Sequence, residues 1–422
     1  MDDSTFRTTT CSAQGHSTNK EGITVKPGWI RCTLGLCSLL ASFLAGCTPP
    51  PGAVAHEVYV WQRQWTPAVS ATIEAHTRLF DAFRVLALEV TGREVYVTTP
   101  DLLALAATEK SVRMVVRMEG SRVPIDVERL LGALEPGIAK WQAAGVIVSG
   151  IEIDHDCASA ALRQYAQWLR DLRARLPDAL PLSITALPSW LESTDLPSLL
   201  AIVDHSVLQV HGVERNRPTL FESKRALAWV RDWSTKSDHP FLVALPAYGV
   251  YVSKDAGGRV VSVDAEAGRV RSSHDGSELR ADAADVASFL RAIERRRPAR
   301  LSGVIWFRLP VPGDRRSWSM TMLESVITRQ PLRSDWQVQT ELQPEGHLEI
   351  YLSNMGTLDA RPPLVLVPES CPIADAAGMY RLDPQNLHHL MPDDRAWLRA
   401  GHRMHIGWAR CPNLKANDWK SI

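Results

Sequence analysis

Short apolar runs alternate with amphipathic segments from residue 58 to about residue 330. The apolar runs predict β-strands, and the segments with apolar residues at helical spacing predict helices. The predicted strands are 58–61, 84–90, 114–118, 145–156, 182–186, 207–210, 241–245 and 303–307. The predicted helices are 67–80, 127–143, 159–176, 221–233, 283–295 and 317–327. Strands alternating with helices in this way predict a closed (β/α)8 barrel of the TIM type, an α/β fold.

The pattern changes twice around this barrel. Residues 254–277 contain short β-like runs between glycines and predict a hairpin inserted over the barrel mouth. From about Asp335 short alternating strands follow one another, separated by Asn, Gly and Pro turns. We therefore predict a barrel domain over residues 58–332 and a small β-sandwich-like domain over residues 335–422. That second domain is expected to bind glycan, contact another protein or only brace the barrel.

The first 47 residues have the features of an export signal. Lys26 and Arg31 precede an apolar run from Cys32 to Ala45, which is short for a membrane span and ends in small residues. The ending Leu44-Ala45-Gly46-Cys47 resembles the lipobox of bacterial lipoproteins, in which the cysteine is lipidated. The resemblance implies a signal peptide over residues 1–47, a lipid on Cys47 and a tether over residues 48–57. We expect a chain anchored to the membrane of a bacterial envelope, facing the periplasm or the exterior.

The charge balance and the cysteines indicate which partners and which disulfide bonds to expect. Lys+Arg and Asp+Glu both number 47, so no overall field favours nucleic acid, and we expect no nucleic-acid partner. Export places the mature chain in an oxidising compartment. If Cys47 carries lipid, then Cys371 and Cys411 in the C-terminal segment are the expected disulfide pair, and Cys157 is a buried free thiol.

The fourth predicted strand carries an unusual set of acids. Side chains alternate along a strand, so Glu152, Asp154 and Asp156 should line one face while His155 points to the other. Carboxylates this close repel one another unless a metal, a basic partner or a reaction requires them. The alternative is that they only end the strand and cap the next helix. Because His155 points away from Asp154 and Asp156, these three side chains cannot converge on a metal ion unless the strand bends. We therefore expect no metal, and no motif indicates a cofactor.

Polar and aromatic residues follow most of the other predicted strands. A (β/α)8 barrel brings its strand ends together at one mouth, where the functional residues of such barrels lie. Any one of these residues alone would more often pack than bind. Together, aromatic faces, carboxylates and amides suit sugar rings, which offer apolar faces and many hydroxyls. The residues expected to bind substrate are Trp61, Glu89, Arg117, Glu119, Gln209, His211, Tyr248, Trp306 and Arg308.

Several of these motifs resemble those of the chitinase-type family 18 glycoside hydrolases. Their fourth strand carries Asp-Gly-x-Asp-x-Asp-x-Glu, which residues 149–156 match in position, with Ser149, Glu152 and Asp156 replacing the first, second and last acids. The resemblance implies that Asp156 is the general acid, Asp154 its partner and Glu152 their support. It also implies that Trp306 forms the floor under the reacting sugar. The side chain of Asp156 is about one methylene shorter than that of the glutamate, so its carboxyl is withdrawn from the substrate. A displaced proton donor lowers the rate of a reaction strongly.

As a whole, the barrel more closely resembles a bacterial family called domain of unknown function 3142. The resemblance rests on residues 60–67, 150–157, 208–211 and 306–310, and it implies no established activity. The first functional hypothesis is hydrolysis of a β-linked envelope or extracellular glycan. The alternative is a non-catalytic glycan-binding or scaffold protein, and a metal-dependent deacetylase is a third possibility.

Overall fold

The structure is a computed structural model that describes residues 54–213, 219–255, 257–265, 276–412 and 419–421. The predicted signal peptide, Cys47 and residues 48–53 of the predicted tether lie outside these residues. Within them, no helix combines the length and the apolar character needed to cross a membrane.

Eight parallel strands form a closed barrel, which confirms the predicted (β/α)8 fold. The strands up to residue 307 are β1 (Ala55–Val60), β2 (Ala82–Thr91), β3 (Glu94–Val97), β4 (Ser111–Met118), β5 (Ile147–His155), β6 (Leu182–Ala186), β7 (His205–Gln209), β8 (Phe241–Pro246), β9 (Gly249–Lys254), β10 (Val260–Asp264), β11 (Gly276–Arg280) and β12 (Leu301–Phe307). The barrel order is β1-β12-β8-β7-β6-β5-β4-β2, and the pairing of β1 with β2 closes the ring. Strand β3 is an antiparallel addition to β2.

Helices follow the barrel strands and cover their outer faces. They are α1 (Pro67–His76), α2 (Leu102–Ala107), α3 (Val127–Ala143), α4 (Leu162–Arg173), α5 (Leu196–Leu200), α6 (Ser223–Lys236), α7 (Ala283–Arg295) and α8 (Met320–Ile327). The main apolar core lies between these helices and the strands. The side chains of β5 alternate as predicted. Ile151 and Ile153 are fully buried in this core, and His155 packs against Tyr165 of α4 at 5.1 Å between ring centroids.

The inside of the barrel is charged below its mouth. Arg84 of β2 is 1% exposed and forms ion pairs with Glu57 and Glu152, while Tyr59 donates a hydrogen bond of 2.5 Å to Glu152. Buried carboxylates need such partners, because an unpaired ion in the interior is strongly destabilising. Of the three acids predicted for the fourth strand, Glu152 therefore has Arg84 as its basic partner.

Two antiparallel four-stranded sheets form the C-terminal part of the chain. Their strands are β13 (Trp336–Leu342), β14 (Leu348–Asn354), β15 (Val365–Leu366), β16 (Ile373–Ala376), β17 (Tyr380–Asp383), β18 (Asn386–Pro392), β19 (Arg403–Arg410) and β20 (Lys420–Ser421). The sheet orders are β13-β14-β19-β16 and β17-β18-β15-β20, and both sheets contribute to one apolar core. Cys371 and Cys411 form a disulfide bond beside this core, and Cys157 is a buried free cysteine.

The C-terminal sheets are hydrogen-bonded to the barrel near α8. Asp359, which is 3% exposed, accepts hydrogen bonds from the backbone and hydroxyl of Ser319 at 2.8 and 2.5 Å and from the backbone of Ala400 at 2.8 Å. Ser319 is also the N-cap of α8, so one carboxylate connects the start of this helix to the C-terminal sheets.

The insertion after β8 differs from the predicted hairpin. It is a three-stranded antiparallel sheet in the order β10-β9-β11, in which β9 begins three residues after β8 ends. The sheet contacts the loop after β12, where Arg316 donates a hydrogen bond of 2.5 Å to the carbonyl of Asp264. Gly249 is needed at the start of β9, because a Cβ there would lie 2.8 Å from the carbonyl oxygen of Leu279.

Candidate active site

Arg117 binds both outer acids of the β5 motif at the C-terminal ends of the strands. Its Nη1 donates to Oδ2 of Asp154 at 2.7 Å and its Nη2 donates to Oδ2 of Asp156 at 2.8 Å. Arg117 and Asp154 are direct neighbours in the register of β4 and β5, so the guanidinium reaches across one strand spacing. Arg117, Asp154 and Asp156 are thus brought together as predicted, with Arg117 as the counterion of both acids.

The two acids differ in their surroundings. The side chain of Asp154 is 6% exposed, whereas that of Asp156 is 44% exposed. Asp154 also accepts a hydrogen bond of 2.7 Å from the hydroxyl of Thr185 and a longer one of 3.5 Å from the amide of Gln209. Burial raises the pKa of Asp154; Arg117 acts in the opposite direction and the charge of Asp156 reinforces the rise. Asp154 is therefore the carboxyl of this pair that the site holds back from ionisation.

An aromatic cluster lies on the opposite side of the mouth. The ring of His211 stacks on Phe307 at 5.6 Å, and Tyr248 and Trp61 meet the same phenyl ring edge-on at 5.2 and 5.4 Å. The hydroxyl of Tyr248 and Nδ1 of His211 are 3.3 Å apart, within hydrogen-bond distance. Burial lowers the pKa of His211 to about 4, so its imidazole is neutral at neutral pH.

His211 also borders open space. A cavity of about 910 Å³ is lined by Gln209, His211 and Gly212 together with residues after β6 and on α6. Nε2 of His211 is buried and has no hydrogen-bond partner among the described residues. A buried polar atom without a partner is unfavourable, and a ligand hydroxyl or water in this cavity would satisfy it.

The prediction that Trp306 lies under a sugar is wrong. Trp306 is fully buried on the outer face of β12, where its ring stacks on His56 and its Nε1 lies 3.1 Å from Nδ1 of His56. Phe307, the next residue, points into the mouth instead. Adjacent residues of a strand face opposite sides, so only one of the two can line the site.

Three other predicted residues lie at the rim without contacting the acid pair. Glu89 is held by Arg63 at 2.5 and 2.6 Å, and the hydroxyl of Thr91 donates to Glu119 at 3.2 Å. Arg308 is 6% exposed and is bound to Asp314 at 2.7 Å. It also borders a cavity of about 400 Å³ together with Trp61 and Arg63, and the expectation that it binds substrate stays a prediction.

Glu152 is placed too deep to act on a substrate. It is fully buried, and its carboxylate is taken up by Tyr59, Arg84 and the hydroxyl of Ser183 at 3.2 Å. Glu152 therefore lies inside the barrel, where it was expected to support Asp154 and Asp156 rather than to contact the substrate. In the part of the chain that the structure describes, no cluster of three or more His, Cys, Asp or Glu residues is arranged to hold a metal ion.

Comparison with known proteins finds two family models that match parts of the chain. Residues 108–312 match the model of Domain of unknown function (DUF3142), and residues 337–412 match a second model, Domain of unknown function (DUF8456). The first match covers most of the barrel and just under half of the chain. It supports the family resemblance drawn from the strand-end motifs. No curated protein sequence matches the chain.

Several solved structures are similar in chain course to this protein. The spore cortex-lytic enzyme SleL of Bacillus cereus is 13% identical with a TM-score of 0.46, over 62% of this chain and 72% of that one. A chitinase from Chromobacterium violaceum is 15% identical with a TM-score of 0.44, over 66% of this chain and 99% of that one. The chitinase ChiA74 from Bacillus thuringiensis is 9% identical with a TM-score of 0.41, over 86% of this chain and 98% of that one.

Two residues of this site were not foreseen. Phe307 is the centre of the aromatic cluster, and Thr185 at the end of β6 binds Asp154. The sequence places Phe307 on the same strand face as Ile305, but it does not tell that this face lies inside the barrel, where both residues pack. Thr185 carries no signal either, because a threonine in a buried strand is common for packing reasons alone.

Proposed function

We propose that the mouth of this barrel binds a β-linked glycan of the bacterial envelope or exterior, and that Asp154 and Asp156 hydrolyse it. The observation that carries the proposal is the acid pair itself. A buried aspartate of raised pKa stands beside a partly exposed aspartate at the C-terminal ends of the strands. Their unequal exposure divides the roles: the accessible carboxyl can reach the leaving oxygen, and the buried one is held in place to orient the sugar.

Each acid has a role that its exposure allows. Asp156 is accessible and protonates the leaving oxygen, which requires that Arg117 release it when it takes up a proton. Asp154 is fixed by Thr185 and Arg117 and orients the reacting group of the sugar. If the substrate has a 2-acetamido group, that group acts as the nucleophile and Asp154 positions it.

The aromatic side of the mouth supplies binding. Phe307 and Trp61 offer ring surface, while Nε2 of His211 and the amide of Gln209 offer polar contacts at the cavity wall. Because His211 is neutral, its unpartnered nitrogen exchanges a hydrogen bond with an uncharged sugar hydroxyl without the cost of burying a cation.

A second candidate function is glycan binding without hydrolysis. The observation that favours it is the hydrogen bond from Arg117 to Oδ2 of Asp156, because it occupies an oxygen of the proposed acid that would otherwise carry the proton to be donated. In this case the mouth, its aromatic cluster and the adjoining cavity would keep the ligand bound and unchanged.

The substitution Asp156→Asn separates the two candidates. Hydrolysis is measured as new reducing ends on a panel of cell-wall and exopolysaccharide fragments, and binding is measured by calorimetry on the same panel. For a hydrolase we expect roughly a hundredfold loss of turnover with binding retained, in the range given by general acid catalysis. Asp178→Asn is the matched control and should keep full turnover, because Asp178 is fully exposed and lies before β6, at the end of the barrel opposite the mouth. Undiminished turnover in Asp156→Asn would refute the assignment of the acid, and binding without turnover in the unsubstituted protein would establish the second candidate.

We further propose that the chain is an exported lipoprotein. The proposal rests on the sequence of residues 24–47, which combines basic residues, an apolar run and a terminal Leu-Ala-Gly-Cys. The test is incorporation of labelled fatty acid in a bacterial host, which we expect to be lost in Cys47→Ser and kept in Cys37→Ser. Labelling that persists without Cys47 would contradict this proposal.

A further inference from the structure

A second open site lies away from the barrel mouth, between the barrel and the C-terminal sheets. This basic cleft has a volume of about 720 Å³ and is bordered by β9 and β11, by the loop after β12 and by residues 395–404. Its described lining includes six arginines and one acid, Glu278. The six arginines are Arg280, Arg315, Arg316, Arg395, Arg399 and Arg403.

The positive charge of the cleft is only partly neutralised. Arg280 pairs with Glu278 at 2.9 Å, Arg316 with Asp264 at 3.4 Å and Arg403 with Glu341 at 2.6 Å. Arg399 donates its hydrogen bonds to the backbone carbonyls of Asp314 and Ser317. An excess of cationic groups therefore remains in a chain whose overall charge is balanced.

Arg315 and Arg395 supply this excess. Both are exposed, and neither takes part in an ion pair within the described residues. They approach the cleft from different parts of the fold, since Arg315 follows β12 and Arg395 lies in the loop between β18 and β19. A ligand bound between them would contact the barrel and the C-terminal sheets at once.

Aromatic rings interleave with the guanidinium groups. Arg280 lies 5.0 Å from the ring centroid of Trp397, which is 37% exposed, and Arg316 lies 5.9 Å from that of Tyr251. Guanidinium groups bind carboxylates through paired hydrogen bonds, and exposed indole and phenol rings pack on the apolar faces of sugars. Together the two features suit a ligand that offers both an anionic group and an apolar ring face.

We propose that the basic cleft binds an acidic polysaccharide, a sugar chain that carries carboxylates on its rings. Its volume is that of a site for a small ligand or a few sugar units, which does not suit a nucleic acid duplex. The proposal is independent of the hydrolytic site, because its residues and its readout are separate from those of the barrel mouth. It gives the C-terminal sheets a binding role beyond bracing the barrel.

The test uses the full mature chain and trigalacturonate, a short uronate chain, as the probe. The double variant Arg315→Gln/Arg395→Gln removes the two exposed guanidiniums without touching a buried contact. We expect its Kd for trigalacturonate, measured by calorimetry, to rise roughly tenfold or more. The control Arg93→Gln/Arg163→Gln makes the same change of net charge at exposed positions elsewhere on the barrel and should bind within about twofold of the unsubstituted protein. Matched thermal unfolding curves show that both variants are folded.

Three further results decide the matter. The methyl ester of trigalacturonate keeps the rings and lacks the charges, and it should bind at least tenfold more weakly if the carboxylates are recognised. Absence of trigalacturonate binding, or equal binding by the double variant, would overturn the proposal. A single-stranded oligonucleotide that binds as tightly as trigalacturonate, with the same dependence on Arg315 and Arg395, would overturn the assignment to carbohydrate and indicate a nucleic-acid site. None of these measurements involves Asp154 or Asp156, so their failure and the failure of hydrolysis are separate outcomes.

Discussion

At the scale of single residues, the candidate site depends on side chains that hold the acids rather than on the acids alone. Arg117 connects Asp154 with Asp156, Thr185 fixes Asp154, and Gly150 allows the chain to bend below them. Close packing around position 150 therefore requires a glycine there, whether or not the site catalyses a reaction.

Gly150→Ala should destabilise the protein by roughly 2 kcal/mol or more. A Cβ at this position would lie 2.5 Å from the carbonyl oxygen of Pro181 and 3.2 Å from Nη1 of Arg113, and φ is +150°. Urea unfolding measures the loss. Gly132→Ala in α3 is the control, because a Cβ added there would have no neighbour within 4 Å and the backbone is that of an ordinary helix, and it should gain up to about 1 kcal/mol. Equal stabilities for the two variants would show that Pro181 moves aside freely.

The protonation of His211 should make the protein less stable in acid. Its folded pKa of about 4 lies below the ordinary value of 6.5, so the unfolded chain takes up this proton first. The contribution of neutral His211 to the free energy of unfolding is complete above about pH 6.5. It is lost as the pH falls toward 4, by at most roughly 3 kcal/mol. Urea unfolding from pH 7 to 4 should therefore show a shallower decline for His211→Gln than for the unsubstituted protein. His402→Gln changes an exposed imidazole and should leave the decline as it is; parallel curves for His211→Gln would contradict the argument.

At the scale of elements, the sequence specifies the barrel well where helices are amphipathic and capped. Helices α3 and α7 have the predicted bounds, and in each an aspartate before the first turn accepts backbone hydrogen bonds: Asp126 from Arg129, and Asp282 from Ala284 and Asp285. Strands β16, β17, β18 and β20 were not predicted individually. Strands β16, β17 and β20 have four residues or fewer, and β18 has adjacent histidines where an alternating pattern would identify a strand.

The orientation of β12 shows why part of the site could not be predicted. Val304, Ile305 and Trp306 are all fully buried, so the apolar pattern does not tell which face is inside the barrel. The expected position of Trp306 rests on family resemblance, and Phe307 occupies the mouth instead. The bridge from Arg117 was also out of reach, since it depends on the register of β4 against β5, which one sequence does not define.

The disulfide should be the main covalent support of the C-terminal sheets. Cys371 and Cys411 are 40 residues apart, and closing such a loop stabilises by roughly 4 kcal/mol in the chain-entropy relation. Cys371→Ala/Cys411→Ala should lower the free energy of unfolding by about 2–4 kcal/mol, measured by urea unfolding of the oxidised proteins. Adding a reductant should reproduce the loss in the unsubstituted protein and change nothing in the double variant. A reductant-insensitive stability of the unsubstituted protein would mean that the bond does not support the fold.

At the scale of the whole molecule, the barrel and the C-terminal sheets are one unit joined through buried polar contacts. Asp359 receives three hydrogen bonds, from Ser319 and Ala400, in surroundings that exclude water. Arg399 adds hydrogen bonds to Asp314 and Ser317, carbonyls in the loop that also borders the basic cleft. The hydrogen bonds of Asp359 and Arg399 therefore also hold the walls of the cleft together.

Asp359→Ala should loosen the junction and lower the free energy of unfolding by roughly 3 kcal/mol, because three buried donors lose their acceptor. Scanning calorimetry should show one transition in the unsubstituted protein and two in the variant. Asp394→Ala removes an exposed acid that pairs with Arg361, and it should keep a single transition at nearly the same temperature. A single, unshifted transition in Asp359→Ala would show that the two parts are coupled by other contacts.

The shared guanidinium of Arg117 has a consequence for redesign of the barrel mouth. Because one side chain serves both Asp154 and Asp156, changing it alters two acids in a single step, whereas changing either acid leaves the other paired. An uncharged side chain of similar length, as in Arg117→Met, leaves the buried Asp154 beside the charge of Asp156 without a counterion, conditions under which such a pair retains a proton. For an engineer who wants a carboxyl of this barrel to stay protonated at higher pH, the position to vary first is therefore Arg117, not the acidic motif.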